Sequence, residues 1–240
     1  MRPQTQVVQM TYQNPHAEMP MYVPVAVICN TSDEDLVKNI RANSERDLKW
    51  LPARPAHNGH AVMVGGGGSV EDHLNDIELL RRAGGTVFAM NAVCQYLREH
   101  GVAVDYQVIA DAKGETAQLV DPKAPAHLFA SQVHPDTVEA AGSPILWHLE
   151  IGEVEASLPP EKVARGGYAL IGGGAAVGNS ALCVAYAMGY RKFYIFGFDS
   201  CHKDGRSHAY PQPMNQFIPT VDVTWGNKTY TASFAMKAQA

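Results

Sequence analysis

The chain's four cysteines, Cys29, Cys94, Cys183 and Cys201, stand far apart among its 240 residues, with no C-x-x-C pair and no metal-ligand spacing. A disulfide framework and a zinc ribbon are excluded on that ground, and four reduced thiols in a cytoplasmic protein are expected. No apolar run reaches the ~20 residues of a membrane span, and the N-terminal stretch "MRPQTQVVQM" has no apolar signal-peptide core. Neither a span nor export is therefore expected. Basic clusters are missing too: 19 Lys and Arg face 24 Asp and Glu, for a net charge of −5, which argues against nucleic acid as a partner. Two nucleotide signatures are also lacking. No Gly-rich turn ends in the Lys-Ser/Thr of a P-loop, and after Gly65 and Gly67 a dinucleotide fingerprint would need glycine where Val70 stands. The next strand ends in Asn91 rather than in an acid that would hold the ribose of NAD.

What is present is a repeated strand-glycine-helix pattern. "AVMVGGGGSVEDHLNDIELLRRAGGTVFAMN" runs from an apolar strand through Gly65, Gly66, Gly67, Gly68 and Ser69 into a helix with acids first, arginines last and Gly84 as its stop. "YALIGGGAAVGNSALCVAYAMGYRKFYIFGFD" repeats that logic, with Gly173, Gly174, Asn179 and Ser180 at the turn and a helix apolar nearly all round, expected to be buried on more than one side. Between them "VDYQVIAD", "AHLFAS" and "PILWHL" read as strands and "AVCQYLREHG" and "HPDTVEAAG" as helices. The alternation predicts an α/β, Rossmann-like three-layer sandwich with a mostly parallel sheet.

The remaining segments carry weaker patterns. Residues 1–24 read as an irregular arm or edge strand, and "SDEDLVKNIRANSERDLKWL" as a helix before Pro52 with Leu36, Ile40 and Leu48 on one face. An N-terminal arm and helix over residues 1–58 and a nucleotide-binding domain over 59–240 follow. "EIGEVEASLPPEKVARGG" reads as a long loop and "TASFAMKAQA" as a helix.

In a parallel sheet all strand-to-helix turns leave from one edge, so the two glycine turns are expected to face one crevice and offer N–H groups to a nucleotide phosphate. Tight turning alone is the competing explanation of the glycines. If the phosphate explanation holds, a bulky residue at Gly67 should block the nucleotide and leave the fold intact. Asn91, Asp111 and Asp199 end strands on that edge; each is a helix cap or a ligand group, with Mg²⁺ on a carboxylate and a base or sugar on Asn91 as the chemistry. The polar loop "FDSCHKDGRSHAYPQPMN" adds His202, Lys203, Arg206 and His208, of which an imidazole at the ligand edge suits general acid–base work.

The succession "VMVGGGGSVED", "FAMNAV", "VDYQVIAD", "GGGAAVGNSALCVAYAMGYRKFYIFGFD" and "RSHAY" resembles the 6-hydroxymethylpterin diphosphokinase-like family from about Asn39 to Tyr210, and is similar to the related bacterial sialyltransferases that use CMP-sialic acid. The resemblance implies a nucleotide-dependent transferase. Its donor would be ATP with Mg²⁺, giving pyrophosphate to a hydroxymethyl pterin or similar alcohol, or alternatively a CMP-sugar; a non-catalytic nucleotide- or sugar-binding module is the third reading. It also implies nucleotide binding at Gly65, Gly67, Ser69 and Asn91, acids in the roles of Asp111 (metal) and Asp199 (catalytic), and His208 as the histidine of the family's late "HA" loop. The chain departs from the pattern at Gly68 and Ala112, where relatives commonly carry proline, and part of a C-terminal region common in relatives is expected to be missing.

Overall fold

The computed structural model describes residues 5–12, 21–28, 31–150, 157–173, 176–212, 218–233 and 236–237. Strands β1 (Thr5–Tyr12) and β2 (Met21–Ile28) form an antiparallel pair with Val8 opposite Val25, two edge strands where an irregular arm or an edge strand was expected. Pro24 sits inside β2, opposite Gln9. A two-stranded sheet leaves each strand one unpaired edge, where a residue without an N–H is tolerated. Helix α1 (Asp33–Ser44) starts on Ser32, whose Oγ accepts the Asp35 N–H, and stops at Ser44, whose Oγ–H bonds back to the Ile40 carbonyl. That local bond competes with helix continuation, so Leu48 lies beyond the helix rather than on its face.

The core is a seven-stranded, all-parallel sheet: β3 (His60–Val64), β4 (Thr86–Met90), β5 (Tyr106–Ile109), β6 (His127–Ala130), β7 (Ile145–Leu149), β8 (Leu170–Ile171) and β9 (Lys192–Phe196). Their order across the sheet is β8-β7-β6-β5-β4-β3-β9. Helices α2 (Leu74–Arg82), α3 (Val93–Glu99), α4 (Pro135–Ala141), α5 (Pro160–Arg165) and α6 (Val177–Ala187) connect them, with a 3-10 turn over Gly68–His73 ahead of α2. The strands are short apolar runs because both faces are covered. On β3, Ala61 and Met63 pack toward Ala181, Val184 and Ala185 of α6, while Val62 and Val64 pack toward Ile77, Val93 and Leu97 of α2 and α3. Helix α6 turns outward at Asn179 and Tyr186 and is buried or half-buried elsewhere.

Helix α5 corrects the long-loop expectation for residues 160–165: Pro160 is at its first turn, where a missing N–H costs nothing, and Gly166 ends it at φ +59°. The expectation for residues 151–156 lies outside the described residues. The C-terminal "TASFAMKAQA" is also corrected, since Thr231–Ser233 complete β11 (Lys228–Ser233), paired with β10 (Thr220–Trp225) across a Gly226-Asn227 turn with φ +58° at the glycine. A two-residue hairpin of alternating β-branched residues overrides the helical composition. Met236 and Lys237 are helical. Among the described residues Cys94, Cys183 and Cys201 are free thiols, and no helix is long and apolar enough to cross a membrane.

Residues 31–58 are knitted to the sheet through two buried asparagines of α1. Asn39 Nδ2 donates to the Ala112 and Gln132 carbonyls, and Asn43 Nδ2 to those of Ser131 and Val133, at 2.8–3.1 Å. Trp50 then bridges to Leu146 of β7. Removing Asn43 leaves two carbonyls short of a donor, at about 1–3 kcal/mol for a buried polar group left unsatisfied. Asn43→Ala is expected to lower the melting temperature by roughly 4–8 °C for a loss of about 2 kcal/mol in a chain of this size. Arg46→Ala, which breaks an exposed pair with Glu139, should change stability by under about 1 kcal/mol. Thermal unfolding of both variants checks the contrast.

Candidate nucleotide site

The chain lays down β3 to β8 in one direction, then α6 carries it back so that β9 pairs with β3 on the free side. That reversal is where a parallel sheet opens a crevice at its carboxyl edge. A cleft of about 290 Å³ lies there, walled by Gly65–Gly67 after β3, Met90 and Asn91 after β4, Val177–Asn179 at the start of α6, and the loop that leaves β9. Met236 also lines it.

The four glycines after β3 are explained first by the chain's own packing. The Gly65 N–H donates to the Phe196 carbonyl at 2.8 Å and the Gly67 N–H to the Gly197 carbonyl at 2.9 Å, so the β3 turn and the β9 loop touch backbone to backbone. A Cβ on Gly65 would meet the Gly197 carbonyl oxygen. Gly197, at φ +68°, faces Val70 and Gly65 in return. A Cβ on Gly66 would sit 2.6 Å from the Tyr210 hydroxyl, one on Gly67 2.5 Å from Asp199 Oδ2, and one on Gly68 2.6 Å from Lys203 Cβ. The expectation that a bulky Gly67 variant leaves the fold intact is corrected: its side chain would collide with protein before any ligand. Gly65, Gly66 and Gly67 still line the cleft, whereas Gly68 and Ser69 stand behind its wall.

Asp199 is the clasp of this crossing. Its carboxylate accepts the Ser69 N–H at 2.8 Å and the Ser69 hydroxyl on its other oxygen. It lines the cleft with both oxygens so engaged. Asn91 contrasts with it. At φ +53° it holds a left-handed conformation that asparagine tolerates better than most residues, its N–H donates to Val108 and its carbonyl accepts from Gln107 Nε2, yet its side-chain Oδ1 is buried without a partner. Ser200, at φ +48°, is a second left-handed residue in the lining.

His208 enters from the β9 loop, half-buried, with Nδ1 2.9 Å from Ser207 Oγ and its ring 5.6 Å from that of Tyr210. Burial, with a smaller contribution from nearby His202, holds its pKa below the ordinary histidine value, so the neutral imidazole prevails near pH 7. Burial likewise keeps the Tyr210 phenol protonated, against a smaller pull from the Val93 N–H.

The second glycine turn contributes through Gly178 and Asn179 at the start of α6. Asn179 is exposed in the cleft wall; Ser180 is buried and presses against Gly173, and neither of those two lines the cleft. Gly174 lies outside the described residues. Asp111 is not in the lining and accepts the Lys113 N–H at 3.0 Å. Among the described residues no three His, Cys, Asp or Glu come together as a metal site, and Asp199 is the carboxylate in the described lining. Tyr210, Phe198 and Cys201 are lining residues that spacing did not single out, although Tyr210 ends the "SHAY" stretch.

The fold is shared with the MAf glycosyltransferase from Magnetospirillum magneticum AMB-1, at TM-score 0.65 and 14% identity over 85% of this chain and 33% of that one. The chain thus spans about a third of that protein's length. The A domain of a carboxylic acid reductase from Segniliparus rugosus, solved with AMP and a co-purified carboxylic acid, aligns over 84% of this chain and 31% of its own at 13% identity, with a TM-score of 0.19 from which nothing about the fold follows. No curated protein matches the sequence. A family model described as 6-hydroxymethylpterin diphosphokinase MptE-like matches residues 34–205, which include α1, every strand of the parallel sheet and the Lys203 end of the β9 loop, and the chain belongs to that family.

Proposed function

We propose that this chain is a nucleotide-dependent transferase whose donor binds in the cleft between the ends of β3, β4 and β9. The observation that carries the reading is Asn91: it lines the cleft in a left-handed conformation with its amide oxygen unpartnered, and rotation of that side chain toward a base or sugar would give the oxygen a donor. Family membership supports nucleotide chemistry, and the glycosyltransferase of like fold supports sugar transfer on such a sheet.

Charge favours one donor over the other. The described lining residues include the Asp199 carboxylate, a neutral-leaning His208 and no Lys or Arg. A donor with a single phosphate charge, such as a CMP-sugar, suits that wall better than the polyphosphate of ATP. In the reaction His208 takes the proton of an acceptor hydroxyl, the acceptor oxygen bonds to the sugar carbon, and the sugar–phosphate bond breaks with its electron pair leaving on CMP. Asp199 enters as the clasp that fixes Ser69 and the β3 turn. Pyrophosphate transfer from ATP is the family-level alternative, with the same base and attack on phosphorus.

Titration calorimetry with CMP, a CMP-sugar and ATP, each with and without Mg²⁺, tests the reading. A cytidine nucleotide is expected to bind, and Asn91→Ala to weaken it by about 0.5–1.5 kcal/mol, or roughly two- to tenfold. Binding of ATP alone, indifferent to Asn91, would overturn the donor assignment; binding without turnover of any acceptor would leave a binding module.

The pH dependence has a definite sign. The base works neutral, and burial lowers its pKa, so transfer should hold at pH 7 and fall on the acid side with a midpoint below about 6.5. His208→Ala should cost about 10²–10⁴-fold in turnover with nucleotide affinity nearly kept. A pH profile of kcat/KM for the two proteins is the measurement.

A further inference from the structure

The loop that brings His208 to the cleft is tied to β11 by the His202 N–H, which donates to the Thr231 carbonyl at 2.7 Å, and to the β3 turn at three further places. Its root is the Asp199–Ser69 clasp, and its far end is the Ala209 N–H, which donates to the Gly66 carbonyl at 3.0 Å. Between these lies a small hairpin: Lys203 and Arg206 exchange backbone hydrogen bonds at 2.9 and 3.0 Å across Asp204 (φ +50°) and Gly205 (φ +74°). Two left-handed central residues make this a stiff turn matched to strand twist. From its base Lys203 Nζ reaches Asp72 at 2.6 Å, and the Arg206 guanidinium takes both oxygens of Glu71 at 2.7 and 3.0 Å. The cations of this loop therefore face the acids of the 3-10 turn after β3, and neither lines the cleft. Arg206 is separated from His208 by Ser207 alone.

We propose that Glu71 and Asp72, through Arg206 and Lys203, are positioning residues that set how far the His208 imidazole reaches into the cleft. The proposal rests on the working role given to His208 above. Both pairs are solvent-exposed, and pairs of that kind are screened by salt, with a Debye length of about 10 Å at 0.1 M. Ionic strength thus becomes a control on the loop: with the pairs intact His208 is packed among Ser207, Tyr210, Gly66 and the cleft wall, with His202 and Asp199 as the titratable neighbours; with them released it moves toward water.

The imidazole itself reports the outcome, with no ligand or turnover required. NMR titration of His208 in the full chain is to be compared among the wild type, the Lys203→Gln/Arg206→Gln variant and the charge-swapped Glu71→Arg/Arg206→Glu variant, with exposed His100 as internal reference. The double neutral variant should titrate higher, near the ordinary value of about 6.5, and lose its salt dependence. The swapped pair should restore the lower midpoint. In the wild type alone, raising NaCl should shift His208 upward relative to His100. An unchanged His208 midpoint in the folded neutral variant, or a wild-type midpoint indifferent to salt, overturns the proposal. Failure of the wild type to bind any nucleotide would count against the transferase reading and leave this titration result standing.

Discussion

The contact on which the rest of the site depends is the crossing of two backbones, the β3 turn over the β9 loop. Gly65 and Gly197 approach so closely that neither has room for a methyl group, and Asp199 pins Ser69 across the junction with two hydrogen bonds. The cleft follows from that crossing. Its floor is the pair of touching turns, Asn91 comes from the next strand over, and Asn179 and His208 come from the elements just before and after β9. Glycine there answers a steric demand of the protein first, and a ligand receives the wall that results.

Much of this was legible in the residues and some was not, for identifiable reasons. Apolar runs alternating with helical periods gave the parallel sheet, because strands buried on both faces must be apolar throughout. Asn91, Asn179, His208 and Gly65–Gly67 reach the cleft because they follow strands or open a helix at the chain reversal. Asp111 also follows a strand, but β5 is two places from β3, and linear order does not say which strand ends adjoin the reversal. Ser69 and Ser180 were singled out for their hydroxyls, of which the first is bonded to the Asp199 carboxylate and the second lies against Gly173, outside the cleft lining. The partners that decide these cases are more than a hundred residues away in one instance, the 130 between Ser69 and Asp199, and no local pattern carries that information.

Charge is distributed with the same logic. The basic residues of the polar loop are engaged by Glu71 and Asp72, and Arg206 and Lys203 hold both of those carboxyl groups below their usual range. Among the described lining residues stand the Asp199 carboxylate and a His208 and a Tyr210 that stay neutral near pH 7, a setting in which hydrogen-bond geometry, more than net charge, discriminates among ligands.

The order of strands in the sheet also fixes an order in time. As the chain emerges from synthesis, β3 to β8 can pair in sequence, each against the one before, while one edge of β3 stays open until β9 arrives. An open edge strand as apolar as residues 61–64 of β3 is a template for pairing with other chains. For the interval between Val64 and Lys192 the nascent protein carries that exposure along the side of β3 that β9 later covers. Closure by a strand so distant in sequence is a slow, non-local step. The strand that carries the His208 loop to the cleft thus also covers the open side of β3.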